Sequence, residues 1–232
     1  MTTSRSATGV QRAGVIIGRP LALIIALIWA AQTVGFALLI RQNSTQKQTI
    51  HQQSEEIRRL KERLQILEII EDYQTTIDHD DAVRLANRVV DCGHKYGFDP
   101  LLILGMIQVE SSFGPRAVSH VGARGLMQMK PSTARAVAYE NGWNWTGAES
   151  LFEPVYNVRL GTEYLFDLVL KFGSVEKAII AYNHGETAVR GLMSRGMKLP
   201  QAYLRRVLKE YRRLQRRYDP SALPDFIGPR PQ

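Results

Sequence analysis

The chain has 232 residues, with 30 Lys and Arg against 22 Asp and Glu, a net charge of +8. That length holds one well-buried domain plus extra segments. The charge suits an anionic partner such as nucleic acid, lipid headgroups or an acidic cell-wall polymer, or serves solubility alone. One cysteine, Cys92, excludes an intrachain disulfide and reads as a small buried hydrophobe in a helix. No Cys/His cluster has metal-ligand spacing and no Gly-rich phosphate loop occurs, so neither metal nor cofactor is expected.

Residues 1–19 are polar, with Arg5, Arg12 and Arg19 and no acid. Residues 21–40, LALIIALIWAAQTVGFALLI, carry no charge, and only Gln32 and Thr33 are clearly polar. About 20 such residues cross a bilayer as a helix. A cleaved signal peptide, with Gly35, Phe36 and Ala37 at the cut, competes with an anchor. The apolar run continues past that point to Ile40, which favours an uncleaved anchor.

Residues 43–72 are polar and helix-prone, without Gly or Pro. Ile50, Ile57, Leu60, Leu64 and Leu67 fall on heptad a and d positions, flanked by Glu and Lys/Arg, with Gln53 and Glu71 breaking the pattern. Two readings stand: a short coiled coil, or a single stalk helix packed on the following domain. In either case about 30 helical residues would make a spacer some 45 Å long.

A globular domain is expected over 79–218. Val83, Ala86, Val89, Val90 and Tyr96 have helical spacing and run to Gly97. Asp99 and Pro100 then suit a helix start, and residues 101–109 are almost entirely apolar. A helix apolar all round is a buried helix. Ser111, Ser112, Gly114 and Pro115 end it, which puts Glu110 on its last turn. Burial and the negative end of the helix dipole both disfavour the carboxylate there. A Glu kept protonated near neutral pH is what a general acid requires.

Residues 117–124 form a loop, Pro131 opens another helix, and 142–150 is a loop with Trp143 and Trp145. Helices are expected over 154–172, 175–182 and 199–218, and a Pro-rich irregular tail over 219–232. No run alternates as a strand, so the class is mainly α.

Three stretches occur in order at domain-sized spacing: ESSF at 110–113, GARGLMQM at 122–129 and AYNHG at 181–185. Together with LFEPVYNVRLGTEYL at 151–165, they closely resemble the family 1 lytic transglycosylases over about residues 80–218. The resemblance implies a goose-type lysozyme-like helical domain, here preceded by a transmembrane helix (21–40) and a coiled-coil or stalk helix (41–78). It implies cleavage of the bond between MurNAc and GlcNAc in peptidoglycan strands. Most glycosidases use two carboxylates, and these motifs supply only Glu110. Glu153, Glu163 and Asp167 read as surface or helix-stabilising groups. One Glu suffices where the C6 hydroxyl of MurNAc attacks its own C1, with Glu110 as acid and then base, leaving a 1,6-anhydro end.

The resemblance also implies that Ser111, Ser119, Met127, Gln128, Tyr182 and Asn183 bind substrate, with the Tyr182 hydroxyl close to the catalytic carboxyl. For Met127 core packing is an equal reading. Lys130 stands where the family often has an apolar residue, and His184-Gly185-Glu186 departs from its pattern. Trp143 and Trp145 suit packing more than sugar stacking. The last helix carries Arg205, Arg206, Lys209, Arg212, Arg213, Arg216 and Arg217, either solvated or facing an anionic wall polymer or lipid. No nucleic-acid module is present. The expected setting is the bacterial inner membrane, single pass, with segment 1–20 in the cytoplasm and the catalytic domain in the periplasm. Residues 43–72 offer a contact for a homodimer or an envelope machine. The rival readings are a hydrolase on the same fold and a non-catalytic glycan-binding scaffold.

Overall fold

The computed structural model describes residues 18–73 and 76–218. Segment 1–17 and the tail 219–232, with the readings made for them, lie outside the described residues. The chain divides into two compact units, 1–57 and 58–232. Among the described residues all regular structure is helical apart from isolated bridges, Val118 with Arg124 and Arg124 with Met129. The mainly α class is thus observed.

The described residues of the first unit form the opening part of one continuous helix, α1 (Arg19–Tyr73). By length and composition α1 contains a stretch able to cross a membrane, and none of that stretch is buried.

The second unit takes up α1 from Arg58 onward and adds α2 (His79–Tyr96), α3 (Pro100–Ser111), α4 (Pro131–Glu140), α5 (Pro154–Phe172), α6 (Val175–His184), α7 (Glu186–Ser194) and α8 (Ala202–Arg217). The chemistry of the boundaries is local. Asp78 accepts the Asp81 N–H at 2.8 Å, and Asp99 accepts that of Leu101 at 2.9 Å. Such caps each contribute about 1 kcal/mol. Glu153 caps α5 in the same way, accepting from Val155 and Tyr156. Gly97 and Gly173 close α2 and α5 at φ of 71° and 67°, where a Cβ would be strained. Helix α7 was not anticipated: Gly185, at φ 89°, ends α6, and the chain turns directly into α7.

The core encloses α3, whose residues 102–107 are all buried. Helix α8 lies against it closely: a Cβ at Gly105 would sit 3.2 Å from the Tyr211 backbone nitrogen. The end of α1 belongs to this core too. Ile66, Ile69 and Ile70 are 2%, 0% and 0% exposed. The heptad residues Ile50, Ile57, Leu60 and Leu64 are instead exposed in the single chain, and only Leu67 packs on the core. The 66–70 register matches a helix docked on its own domain.

One expectation is overturned. Glu163 is not a surface group but is 7% exposed, accepting from the Tyr96 hydroxyl and facing Lys95 at 3.4 Å. Its carboxylate ties α5 to α2, which a reading of charge along α5 alone could not show.

The docked end of α1 makes a quantitative prediction. Ile69→Ala is expected to destabilise the second unit by about 2–5 kcal/mol, the cost of an emptied core site, in urea unfolding. A free stalk helix would lose well under about 1 kcal/mol from the same change.

Candidate active site

Glu110 stands on the last turn of α3, partly buried. Its carboxyl Oε1 accepts a hydrogen bond from the Tyr203 hydroxyl of α8. Burial pushes the carboxyl above the ordinary glutamate range, while the Tyr203 bond and the nearby Arg206 cation pull it down. Desolvation is the largest of these effects, as the apolar run before Glu110 implied. Tyr203 is 2% exposed, and burial followed by the Glu110 charge holds its phenol firmly protonated, hence a donor.

Tyr182 lies close enough for the Glu110 charge to raise its phenol pKa, after burial. Its hydroxyl, however, donates to the Met127 carbonyl at 2.9 Å and lies 3.1 Å from Met129 Sδ. The phenol bonded to the Glu110 carboxyl is Tyr203. The sequence reading missed Tyr203 because it sits among the cations of α8. A signal was present: Tyr203, Val207 and Leu214 form the buried apolar face of that helix.

The loop between α3 and α4 is held from below. Asn157, fully buried on α5, accepts the Met127 N–H at 2.7 Å and donates to the Arg124 and Leu151 carbonyls, both at 2.9 Å. Gly125, at φ 77°, meets this clamp: a Cβ there would lie 2.1 Å from the Leu151 carbonyl oxygen and 2.3 Å from Asn157 Nδ2. Only glycine satisfies both the angle and the space. Gly161, within α5, is set by space alone: a Cβ there would sit 2.6 Å from Met127 Sδ and 3.0 Å from the Tyr182 hydroxyl.

The remaining candidates divide. Met127 is fully buried, so it supports the site from beneath and offers no surface to a sugar; packing against Gly161 is the reason. Gln128 holds a left-handed φ of 47°, and its Nε2 donates to Gly125 O at 2.9 Å and Ala117 O at 3.1 Å, bracing the loop. Ser119 Oγ accepts the Ala123 N–H at 3.0 Å. Ser111 Oγ donates back to Ile107 O at 3.2 Å. Asn183 is exposed beside Tyr182, and His184 is exposed after it. Trp143 and Trp145 pack on a smaller core formed with α4, and the Arg159 guanidinium lies 3.7 Å from the Trp143 ring centroid. Among the described residues no group of three His, Cys, Asp or Glu side chains could hold a metal.

Residues 90–213 match the sequence family described as transglycosylase SLT domain. The chain belongs to this family. A transglycosylase of Enterobacteria phage PRD1 is 36% identical over 91 residues, covering 39% of this chain and 31% of that protein. Membrane-bound lytic murein transglycosylase C of Mannheimia succiniciproducens is 40% identical over 111 residues, covering 44% and 31%. The chain thus spans about a third of the length of these relatives. An inactive glutamate-to-glutamine mutant of lytic transglycosylase Slt from Pseudomonas aeruginosa superposes with a TM-score of 0.52 at 26% identity, over 65% of this chain and 27% of that one. The second unit accordingly has the lysozyme-type helical fold of the SLT family.

The Tyr203 bond carries a prediction. Tyr203→Phe removes a donor that stabilises the carboxylate, so the Glu110 pKa should rise further. Carbon-13 NMR titration of the glutamate carboxyls should show the Glu110 midpoint at higher pH than in the wild type. A midpoint that falls would mean that water has replaced the phenol.

Proposed function

We propose that this chain is a membrane-anchored lytic transglycosylase that cleaves the β-1,4 bond between MurNAc and GlcNAc in peptidoglycan. The observation that carries the reading is Glu110, a carboxyl held toward its protonated form by burial at the edge of an SLT-family core. Protonated Glu110 delivers its proton to the glycosidic oxygen as the C1–O bond breaks, releasing the GlcNAc side with its new hydroxyl. The N-acetyl group of MurNAc stabilises the positive charge at C1. Glu110, now a carboxylate, removes the proton from the C6 hydroxyl, and O6 bonds to C1. The proton balance closes on Glu110, and no water is consumed.

Tyr203 suits both halves of this cycle. Its hydroxyl supports the carboxylate once the proton has left, while burial keeps the acid form accessible beforehand. Ser111, Ser119, Gln128 and Asn183 are the polar groups we assign to the glycan groove. Tyr182 and Met127 serve beneath it. The apolar stretch of α1 and the membrane-bound relatives support anchoring by a single span. A wall-cleaving domain then belongs on the periplasmic side of the inner membrane. The stalk segment remains our proposal for contact with a second copy or an envelope machine.

The decisive test is mass spectrometry of purified peptidoglycan digested with the full chain in detergent. Anhydro-muropeptides, lighter by one water than hydrolytic products, are expected. Glu110→Gln should lower their release by about 10³-fold. Reducing ends in their place would identify a hydrolase.

Stability should move the other way. The folded pKa of Glu110 is raised, so its contribution to stability is complete below the unfolded pKa and is lost as pH rises through the folded one. Glutamine stays neutral throughout. Glu110→Gln should therefore melt with the wild type near about pH 4 and above it near about pH 8. Equal melting temperatures at both would show that the native carboxylate is not strained.

A further inference from the structure

The last turn of α1 reaches both elements that hold the Glu110 carboxyl. Tyr73 stacks on Phe113, with ring centroids 5.0 Å apart and planes at 29°. Phe113 is 2% exposed and has a φ of 60°, and the preceding Ser112 has a φ of 50°. Consecutive non-glycine residues in the left-handed region persist only where their surroundings hold them. This pair ends α3 two residues beyond Glu110, with the Ser112 N–H bonded to Gln108 O. The buried Phe113 side chain is thus an anchor of the turn, and Tyr73 covers it.

The other end of Tyr73 meets α8. Its hydroxyl accepts from Arg213 Nη2, and the same guanidinium lies 5.1 Å from the Tyr73 ring centroid. The adjacent Asp72 accepts from Arg217 at 2.9 Å and from the Tyr218 hydroxyl. Helix α8 also carries Tyr203, which bonds Glu110. All these α1 residues precede the family match, which begins at residue 90. The neighbouring Ile66, Ile69 and Ile70 are buried in the same core as Phe113, and Tyr73 adds the ring contact.

We propose that Tyr73 is a positioning residue for Glu110, holding the left-handed turn at Ser112–Phe113 by its ring and tying that turn to α8 by its hydroxyl. Glu110 stands on the last turn of α3, and helix ends fray unless they are held. A general acid loses rate when its geometry loosens, even where the fold survives. The catalytic unit therefore includes a side chain from the helix that precedes the SLT domain.

The activity readout rests on the transglycosylase reading, so a second readout is independent of it. The full chain carries Tyr73→Leu, which removes the stack and keeps apolar bulk, or Tyr73→Phe, which keeps the ring and loses the hydroxyl. Release of anhydro-muropeptides gives kcat and KM, and hydrogen–deuterium exchange follows the amides of residues 111–114. Tyr73→Leu should lower kcat about tenfold with KM changed less than about twofold. Exchange at 111–114 should rise, while that of the α5 core stays unchanged. Tyr73→Phe should restore kcat to within about threefold of the wild type. Wild-type kcat in Tyr73→Leu, or a lower kcat with unchanged exchange at 111–114, overturns the proposal. Should Tyr73→Leu fail to fold, Phe113→Leu removes the stack from the other side and is judged by the same two readouts. A wild-type chain that makes no anhydro product defeats the transglycosylase reading alone, and exchange at 111–114 then decides the positioning role.

Discussion

An apolar helix that has no face to show to water must be enclosed, and α3 imposes that demand on the second unit. Helix α2 and helix α8 pack against it, and Gly105 lets the α8 backbone come within contact distance. Enclosure brings a chemical consequence at the point where the helix emerges. Glu110 is the residue at that point, and its carboxyl is disfavoured as an anion by the same desolvation that stabilises the core. The raised pKa of this carboxyl follows from its location, and Tyr203, delivered by α8, bonds it and opposes the shift.

A second constraint shapes the ground beside that carboxyl. The loop of residues 117–129 has almost no regular structure, yet it is not loose. Paired backbone bonds join Arg124 and Met129, both at 3.0 Å, and Asn157 binds three backbone groups from within the core. A buried amide that satisfies all of its bonds specifies one arrangement, because any other leaves polar groups dry and unpaired. Gly125 and Gly161 remove the side chains that would keep the layers apart. The site is thus built on a packed floor, which suits chemistry that depends on orientation.

Helix α1 and helix α8 show how residue roles change with neighbours. The cations of α8 look uniform in sequence, yet Arg213 and Arg217 are engaged with Tyr73 and Asp72, and Arg206 lies near Glu110. The apolar residues of α1 that suggested a heptad are exposed, whereas Ile66, Ile69 and Ile70, on another register, enter the core. Periodicity reports that a helix has an apolar stripe; which stripe is buried depends on the surface it meets.

The sequence by itself determined the mainly helical class, the apolar stretch near the N-terminus, the helix boundaries at Asp99 and Gly97, and the family through three ordered motifs. It also determined that Glu110 would end a buried helix, because an apolar run followed by Ser, Gly and Pro leaves no other local solution. Only the tertiary structure decided which phenol would bond that carboxyl. Tyr182 and Tyr203 are both tyrosines on helices, and it is α8, packed against α3, that brings its phenol to the carboxyl. It likewise decided that Met127 would lie below the site, that Asn157 would clamp the loop, that Glu163 would be buried against Tyr96, and that Tyr73 would stack on Phe113. These are contacts between residues 30 to 93 positions apart. No local pattern encodes them, since each depends on packing that exists only after the helices have met.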